Sequence, residues 1–412
     1  MTSRELQSNL PAVGLGFLFA FGSSAGQTFF VSLFSGGLRE ELGLTHTGFG
    51  ASYSFATIVS AFLLLATGHI ADRYRISWLG AATFAALALS SLTMANVTSL
   101  LGLTVVFIAL RFCGQGMLSH LAFTAMGRWF QRSRGRAVSL ASLGYAAGQA
   151  LLPGLVAAGL LIAGWRDIWV VIAAALFAIL VPASILLGRH VRTPEDEHTE
   201  AKSTRMERDS WTRSRVLRDP RFYALLPGIL AMPFIGTGVL FHQVYLVETK
   251  GWSLAAFAAS YPLYAIASTV TGLGLGALID RVGAARTLPF YLLPLACGLL
   301  LLGLSDSVAV APAFMLLIGC TSGGGSVVLG ALWPELYGTK HLGAIRALVT
   351  TIIVLATALS PGLMGLAIDA GVAFDTQVLA MAAYVLVAAG GFALQQRQLV
   401  RAPLPQSEAL AS

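Results

Sequence analysis

Long apolar stretches alternate with short polar segments along most of the chain. Eleven stretches of 19 residues or more contain no Asp, Glu, Lys or Arg: 6–38, 42–71, 76–110, 137–165, 168–188, 222–247, 251–279, 287–305, 307–334, 347–368 and 376–396. A helix that crosses the bilayer core needs about 20 predominantly apolar residues. The pattern therefore predicts a protein built from membrane-spanning helices.

One of these stretches is long enough for more than one helix. The stretch 76–110 is interrupted by the polar turn 96–99, and its second part continues through Arg111 to about Met126. Twelve spans result, with a hydrophilic segment at 189–221 between spans six and seven. We therefore predict an N-terminal six-helix bundle over 1–188, a linker over 189–221 and a C-terminal bundle with a short tail over 222–412.

Composition supports an all-α membrane protein. The 412 residues are 56% hydrophobic and 11% charged, whereas a soluble protein is about 25% charged. The segment 189–221 alone holds nine basic and seven acidic residues, so the spans are poorer still in charge. This composition excludes a soluble globular fold, a disordered chain and a fibrous repeat.

The basic residues have a strongly asymmetric distribution. If both termini lie on one side, that side receives 22 of the 26 Lys and Arg residues, and the opposite side receives only Arg39, Arg166 and Lys250. Basic loops stay in the cytoplasm. We therefore expect both termini and the linker to be cytoplasmic, and the net charge of +7 to reflect topology rather than nucleic-acid binding.

No pattern typical of an enzyme or of a metal site occurs. The three cysteines lie inside apolar runs, and the seven histidines are scattered without metal-ligand spacing. No Walker motif is found, so ATP is not expected as the energy source. We expect no enzymatic activity, no metal and no cofactor, with proton coupling left open.

The two halves repeat each other. Asp72-Arg73 and Asp280-Arg281 each follow a span at an offset of 208 residues, as do Pro153-Gly154 and Pro361-Gly362. Two six-span halves in the same orientation imply a pseudo-two-fold axis along the membrane normal. Transporters with this symmetry bind substrate near the midplane, between the halves.

Three motifs resemble those of the major facilitator superfamily. They are the segment 68–74 (Gly-His-Ile-Ala-Asp-Arg-Tyr) after span two, the segment 111–116 (Arg-Phe-Cys-Gly-Gln-Gly) in span four, and the segment 128–137 between spans four and five. The third is similar to the monocarboxylate-transporter-like branch, although spans one and eight lack the charges of that branch's characterised carriers. The resemblance implies twelve helices in two bundles and secondary transport.

Arg111 is the one basic residue within a span. An arginine at the centre of a span costs about 2.5–3.5 kcal/mol or more, so it should face a cavity and have a partner. Because no carboxylate lies well inside any span, Arg111 favours a polar or anionic substrate, or a role in proton coupling. The alternative is a structural contact with neighbouring carbonyls.

Further substrate-binding candidates are uncharged or titratable polar residues in the spans: Gln27, Tyr145, Gln149, His242, Gln243 and Tyr264. Glutamine offers a donor and an acceptor together. His242 can bind substrate or titrate near neutral pH. Packing within the bundle is the alternative for each of them.

Two repeat-related tyrosines, Tyr53 and Tyr261, lie toward the outer ends of spans two and eight. They are candidates for an outer gate. The alternative is that they anchor the helices at the membrane interface.

The resemblance also implies a cytoplasmic latch between the halves. Asp72 would cap span eleven at Gly343, and Asp280 would cap span five at Gly135-Arg136, because a helix N-terminus attracts a carboxylate. Arg73 and Arg281 belong to the same motifs. These contacts would favour the outward-open state.

Two other features have two interpretations each. The glycine-rich segment 322–326 in span ten can serve as a hinge or as a close-packing surface. The arginine run Arg205, Arg208, Arg213, Arg215 and Arg218 belongs either to an amphipathic segment on the inner leaflet or to a solvated linker.

These observations predict a secondary transporter that moves a small polar or anionic organic solute by alternating access. An efflux carrier for amphipathic drugs or toxic ions is the alternative, and a membrane enzyme or a non-transporting sensor is the rival from another class. We expect the cytoplasmic membrane of a bacterium, the lipid bilayer and a small-molecule substrate as partners, and a monomer.

Overall fold

The computed structural model describes residues 10–130, 134–191, 211–338 and 341–401, and within these ranges it is helical and contains no strand. Eleven helices are long and apolar enough to span a membrane, and one bent pair of helices completes a set of up to twelve. In chain order the spans are Leu10–Gly26 with Thr28–Leu42, His46–Thr67, Ile76–Ala95, Leu100–Trp129, Arg136–Gly159, Trp165–His190, Pro220–Phe241, Leu254–Val282, Ala284–Leu304, Val310–Tyr337, Ala344–Asp369 and Phe374–Gln396. The all-helical membrane fold is confirmed.

Span 1 is bent, whereas the sequence predicts one continuous helix over about 11–36. The chain turns by 47° at Gln27, whose backbone is extended. Span 7 also ends early: after Phe241 the helix breaks at His242 and resumes over Gln243–Thr249. Because no lipid can satisfy freed backbone groups, such breaks are tolerated at membrane depth only where protein or a cavity surrounds them.

Span 4 changes helix type where it carries its arginine. Residues Arg111–Leu118 form π-helical turns, which are frequent at functional sites. A Cβ at Gly114 would lie 2.7 Å from the Cα of Gly26. Spans 1 and 4 thus touch backbone to backbone next to the bend in span 1.

We call the side on which span 2 begins the outer side, and the side on which it ends the inner side. At the outer side, span 11 reaches across to span 2: Asp369 accepts hydrogen bonds from the amides of His46 (3.1 Å) and Thr47 (2.7 Å). A Cβ at Gly50 would lie 2.4 Å from the carbonyl oxygen of Pro361. The two halves are therefore in close contact over the outer part of their interface, which we call the outer seal.

The described end of the linker packs against the inner end of span 10. The amide of Trp211 donates to the carbonyl of Tyr337 (2.9 Å), and the guanidinium of Arg215 lies over the Trp211 ring at 4.3 Å from its centroid. Of the arginine run predicted in the linker, Arg205 and Arg208 lie outside the described residues. The part of the linker nearest span 7 is thus attached to the C-terminal bundle.

Lys250 joins two carboxylates at the outer side of the C-terminal bundle. Its side chain is 2% exposed, and its Nζ lies 2.8 Å from Asp306 and 2.8 Å from Asp375. Burial alone would lower the pKa of Lys250, but hydrogen bonds to the two carboxylates outweigh it and raise that pKa.

Replacing Lys250 by methionine is expected to lower the free energy of unfolding by about 1–2 kcal/mol, because two carboxylates lose their shared cation. Since the native pKa is raised, the contribution is present below the unfolded value of about 10.4 and is lost as the pH rises through the native value. Thermal unfolding in detergent at pH 8 measures the effect. Lys250→Arg is the control, and an unchanged midpoint in Lys250→Met contradicts the prediction.

Candidate functional site

A cavity of about 330 Å³ lies between the two halves. None of its lining side chains is charged. The residues that line it are Gln27, Thr28, Phe29, Gln115, Tyr145, Gln149, Ile229, Met232, Pro233, Gly236, Thr237, Leu240, Tyr264, Tyr291, Thr321, Ser322, Gly325, Ser326 and Leu329. The cavity can therefore form many hydrogen bonds and no ion pair through its own wall.

The N-terminal half contributes three amides to this wall, one each from spans 1, 4 and 5. Gln27 and Gln149 are 8% and 3% exposed. The side-chain oxygen of Gln115 is buried and has no hydrogen-bond partner among the described residues. Buried polar groups are nearly always paired, so this unpaired oxygen in a cavity-lining residue marks Gln115 as a candidate to bind a solute.

The C-terminal half contributes mainly hydroxyl groups. The Tyr264 hydroxyl lies close to Ser322 and to Gln149 of the other half, so it connects the two walls. Tyr291 donates a hydrogen bond to the carbonyl of Gly228 (3.1 Å), which presents its ring to the cavity. Ser326, another lining residue, lies toward the inner end of span 10 and is exposed.

The cavity is closed at its outer end. Gln243 donates hydrogen bonds to the carbonyl of Phe29 (3.0 Å) and to Ser32 (2.7 Å), both in the N-terminal half. Tyr261 in turn donates to the side-chain oxygen of Gln243 (2.9 Å). Both residues are 0% exposed. Among the lining residues only Ser326 is exposed, and it lies toward the inner end of span 10, so the cavity opens toward the inner side.

Arg111 lies behind the cavity wall rather than in it. It is 3% exposed, and its Nη1 donates to the hydroxyls of Tyr53 (2.5 Å) and Thr28 (3.2 Å). No carboxylate of the described residues pairs with it, and its Nε has no hydrogen-bond partner among them. Thr28 lines the cavity, so the charge lies one side chain away from the cavity.

Four sequence candidates line the cavity and three do not. Gln27, Tyr145, Gln149 and Tyr264 are part of the wall. Arg111 lies behind it, and His242 and Gln243 belong to the outer seal. His242 is 3% exposed, and its Nε2 lies 3.0 Å from the carbonyl oxygen of Pro361.

The tyrosines Tyr53 and Tyr261 are both 0% exposed. Neither ring can lie among lipid headgroups, so the interfacial-anchor interpretation is wrong. The Tyr53 ring lies tilted against Phe241 of the other half, with centroids 4.6 Å apart, and the Tyr261 ring lies tilted against Phe29 of the other half at 6.0 Å. Each tyrosine thus crosses the boundary between the halves, as a gate would require.

The latch residues that the structure describes are not engaged. Arg73, Arg136, Asp280 and Arg281 are all exposed, and Asp280 accepts no hydrogen bond from any described residue. The side chain of Asp72 and the surroundings of Gly343 lie outside the described residues. The latch was predicted for the outward-open state, whereas here the outer side is closed, so it stays a prediction.

Several wall residues are absent from the sequence candidates, including Thr28, Gln115, Thr237, Thr321, Ser322 and Ser326. One signal could have found Gln115. It is an amide side chain within a span, as Gln27 and Gln149 are, so the criterion that selected those two residues also selects Gln115. Among the described residues, no group of His, Cys, Asp or Glu could hold a metal ion.

One curated protein resembles this chain in sequence and several solved structures resemble it in fold, all at low identity. An uncharacterized 38 kDa protein of Thermoproteus tenax is 27% identical over 379 residues, which cover 90% of this chain and 92% of that protein. The inward-facing structure of a bacterial homolog of the human lysosomal transporter Spinster superposes with a TM-score of 0.71 at 14% identity, over 99% of this chain and 100% of that one. The nucleoside transporter NupG gives 0.72 at 16% identity, over 96% and 100%.

A family model decides the classification, because these structural likenesses show the fold alone. The model described as Major Facilitator Superfamily matches residues 16–395, which includes both bundles and the linker. Twelve spans in two halves around a polar cavity agree with that match. The chain belongs to the Major Facilitator Superfamily.

Proposed function

We propose that the protein is a secondary transporter that moves a small, polar, uncharged organic solute across the membrane by alternating access. The cavity wall is the observation that supports this proposal: it offers amides, hydroxyls and aromatic rings but no charged side chain. A volume of about 330 Å³ is at the small end of the range for ligand sites. The outer seal is closed and the cavity opens toward the inner side. This arrangement corresponds to one state of the alternating-access cycle.

The positive-inside rule supports a cytoplasmic location for the inner side. We infer that both termini and the linker are cytoplasmic, that a bacterial cytoplasmic membrane holds the protein, and that it works as a monomer. In the opposite state the inner ends would close, with Asp280 at the N-terminus of span 5 and Asp72 at that of span 11.

A small anion is the second candidate substrate, and Arg111 favours it. Its charge has no carboxylate partner among the described residues and lies directly behind Thr28. This candidate agrees with the monocarboxylate-transporter-like motif at 128–137. An efflux carrier for cationic drugs is less consistent with the cavity, which has no carboxylate in its wall.

Proteoliposomes that contain the purified protein test the proposal. Uptake of radiolabelled neutral sugars and nucleosides, of small carboxylates and of cationic drugs would be compared with protein-free vesicles. We expect saturable uptake of a neutral polar solute. Uptake confined to carboxylates would support the second candidate, and uptake confined to cationic drugs would contradict both.

Removing one wall amide is expected to weaken transport of the solute so identified. Gln149→Leu and Gln27→Leu should each lower kcat/KM roughly tenfold. Each variant removes one hydrogen bond to the solute, which contributes about 0.5–1.5 kcal/mol net, and also leaves the solute's polar group unpaired. Gln395→Leu is the matched control, since that amide binds the carbonyl of Ala224, outside the cavity. Equal kinetics in all three variants would remove the glutamines from the site.

A further inference from the structure

Two histidines from opposite halves meet within the outer seal. The rings of His46 at the start of span 2 and His242 at the break of span 7 have centroids 5.9 Å apart. They are 8% and 3% exposed. Histidine is the only side chain whose unperturbed pKa of about 6.5 lies in the physiological range, so this pair is a part of the interface that can respond to moderate acid.

The contacts around His46 hold the two halves together. Its amide donates to Asp369 of span 11 (3.1 Å), and a Cβ at Gly365 of span 11 would lie 2.5 Å from its carbonyl oxygen. The His46 ring also meets the ring of Tyr245 edge to face at 4.5 Å. Through its backbone and its ring, His46 is therefore part of the contact between span 2 and the C-terminal half.

His242 is held next to the contact between spans 2 and 11. Its Nε2 lies 3.0 Å from the carbonyl oxygen of Pro361, and that oxygen is the atom on which Gly50 of span 2 closes. The ring also lies edge to face against Phe241 at 5.1 Å. The histidine pair thus brackets the narrowest approach of spans 2 and 11.

Charged and titratable groups face the pair from every neighbouring helix. Arg39 lies at the end of span 1, Asp369 ends span 11, and Tyr245 and Glu248 lie in the helix after span 7. Arg39 and the positive N-terminal end of span 2 both disfavour a positive charge on the histidine rings. The carboxylate of Asp369 lies at the backbone of His46, where it already accepts hydrogen bonds from the amides of His46 and Thr47.

We propose that His46 and His242 form a proton-binding site in the outer seal and that protons from the outer solution open this seal. Two imidazolium rings 5.9 Å apart, buried and next to Arg39, repel each other. Opening the seal hydrates and separates them. The open state therefore binds protons more tightly than the closed state, and by linkage acid shifts the population toward the open state.

The effect on transport rests on the proposed alternating access, but the opening itself does not. If the protein carries solute inward, outer acid should present the empty cavity to the outside more often. The protein's own conformational equilibrium can be measured without any substrate. Failure of the transport proposal would leave this measurement unaffected.

The test uses the full chain in lipid nanodiscs, with the three native cysteines replaced by alanine. Spin labels are attached to Thr98→Cys and Ala373→Cys, which are exposed in outer loops of the two halves. Double electron–electron resonance then gives the fraction of molecules with a widened outer distance. We expect this fraction to increase at least threefold between pH 8 and pH 5.

The variant His46→Gln/His242→Gln should abolish the increase, because glutamine can donate to the Pro361 carbonyl but cannot be protonated in this range. The single variants His46→Gln and His242→Gln should each reduce it, and they keep the test valid if the double variant fails to fold. His341→Gln, at the inner end of span 11, is the matched control and should respond like the parent. A parent that shows no increase with acid, or a double variant that keeps it, overturns the proposal.

Discussion

Replacing Arg111 by alanine is expected to lower kcat/KM for transport roughly 100-fold while the protein still inserts and purifies. The substitution removes two hydrogen bonds from a charged donor, to Tyr53 and to Thr28. Each such bond contributes about 1.5–3 kcal/mol, and about 1.4 kcal/mol corresponds to a factor of ten. Thr28 would also lose the contact that fixes it in the cavity wall.

Two further variants separate the charge of Arg111 from its positioning role. Arg111→Lys keeps a cation but loses the fork that reaches two hydroxyls. Tyr53→Phe keeps the arginine and removes one acceptor. If the charge attracts an anionic substrate, the lysine variant should retain most activity toward carboxylates. If Arg111 positions the wall, both variants should weaken transport of neutral and anionic solutes alike.

Initial rates in proteoliposomes, with ligand binding by calorimetry, distinguish these outcomes. Arg286→Ala, at an exposed inner position, is the control for loss of a basic residue. Full activity in Arg111→Ala would contradict both the anion-binding role and the positioning role. Packing within the bundle would then be the only function left for Arg111.

Replacing Gly323 by alanine is expected to destabilise the C-terminal bundle by at least about 1–3 kcal/mol, the usual range for overpacking. A Cβ at this position would lie 1.9 Å from the carbonyl oxygen of Ser268 in span 8. A backbone oxygen cannot turn aside as a flexible side chain can, so spans 8 and 10 would have to separate. The cavity residues Tyr264 and Ser322, on these two spans, would separate with them.

The same helix offers a matched control. A Cβ at Gly330, also in span 10, would meet nothing within 4 Å apart from its chain neighbours and the backbone of its own helix. Gly330→Ala should therefore leave stability unchanged or raise it slightly through helix propensity. Thermal unfolding in detergent and initial transport rates measure both variants. Equal midpoints for the two variants would contradict the close-packing interpretation of Gly323.

The glycine-rich segment illustrates how much the sequence could predict. The run 322–326 indicated either a hinge or a close contact, and the helix is continuous through it. Close contact explains Gly323 and also Gly319, where a Cβ would lie 2.5 Å from the Tyr264 carbonyl. Only the position of span 8 could decide between the two, because a glycine has the same local signature in both roles.

For the cavity too, the sequence predicted some features and the tertiary structure decided others. The sequence identified Gln27, Gln149, Tyr145 and Tyr264 as polar residues in spans, and all four line the cavity. It could not identify the partners of Arg111, because a buried cation is expected to pair with a carboxylate and the partners are the hydroxyls of Thr28 and Tyr53. Hydroxyls are too common in apolar helices to be recognised without their neighbours.

Two histidines that are far apart in the chain show what the sequence could not predict. His46 and His242 lie in different halves and carry no shared motif, and their contact exists only because spans 2 and 11 close on the outer side. The bend at Gln27 is similarly absent from the apolar pattern, which runs without a charge from 6 to 38. Both features depend on packing between helices that hydropathy does not record.

Hydropathy and charge along the chain were enough to predict the number of spans, the two-half organisation, the expected sidedness and the presence of one buried arginine. These follow from the cost of placing charge and unpaired backbone in lipid, which acts on each helix separately. The packing of the helices determines which polar side chains face one another, where spans 1 and 7 break, and which side of the cavity is closed. Those properties arise from contacts between helices of both halves, and such contacts depend on the shapes of the packed surfaces rather than on the hydropathy of any one helix.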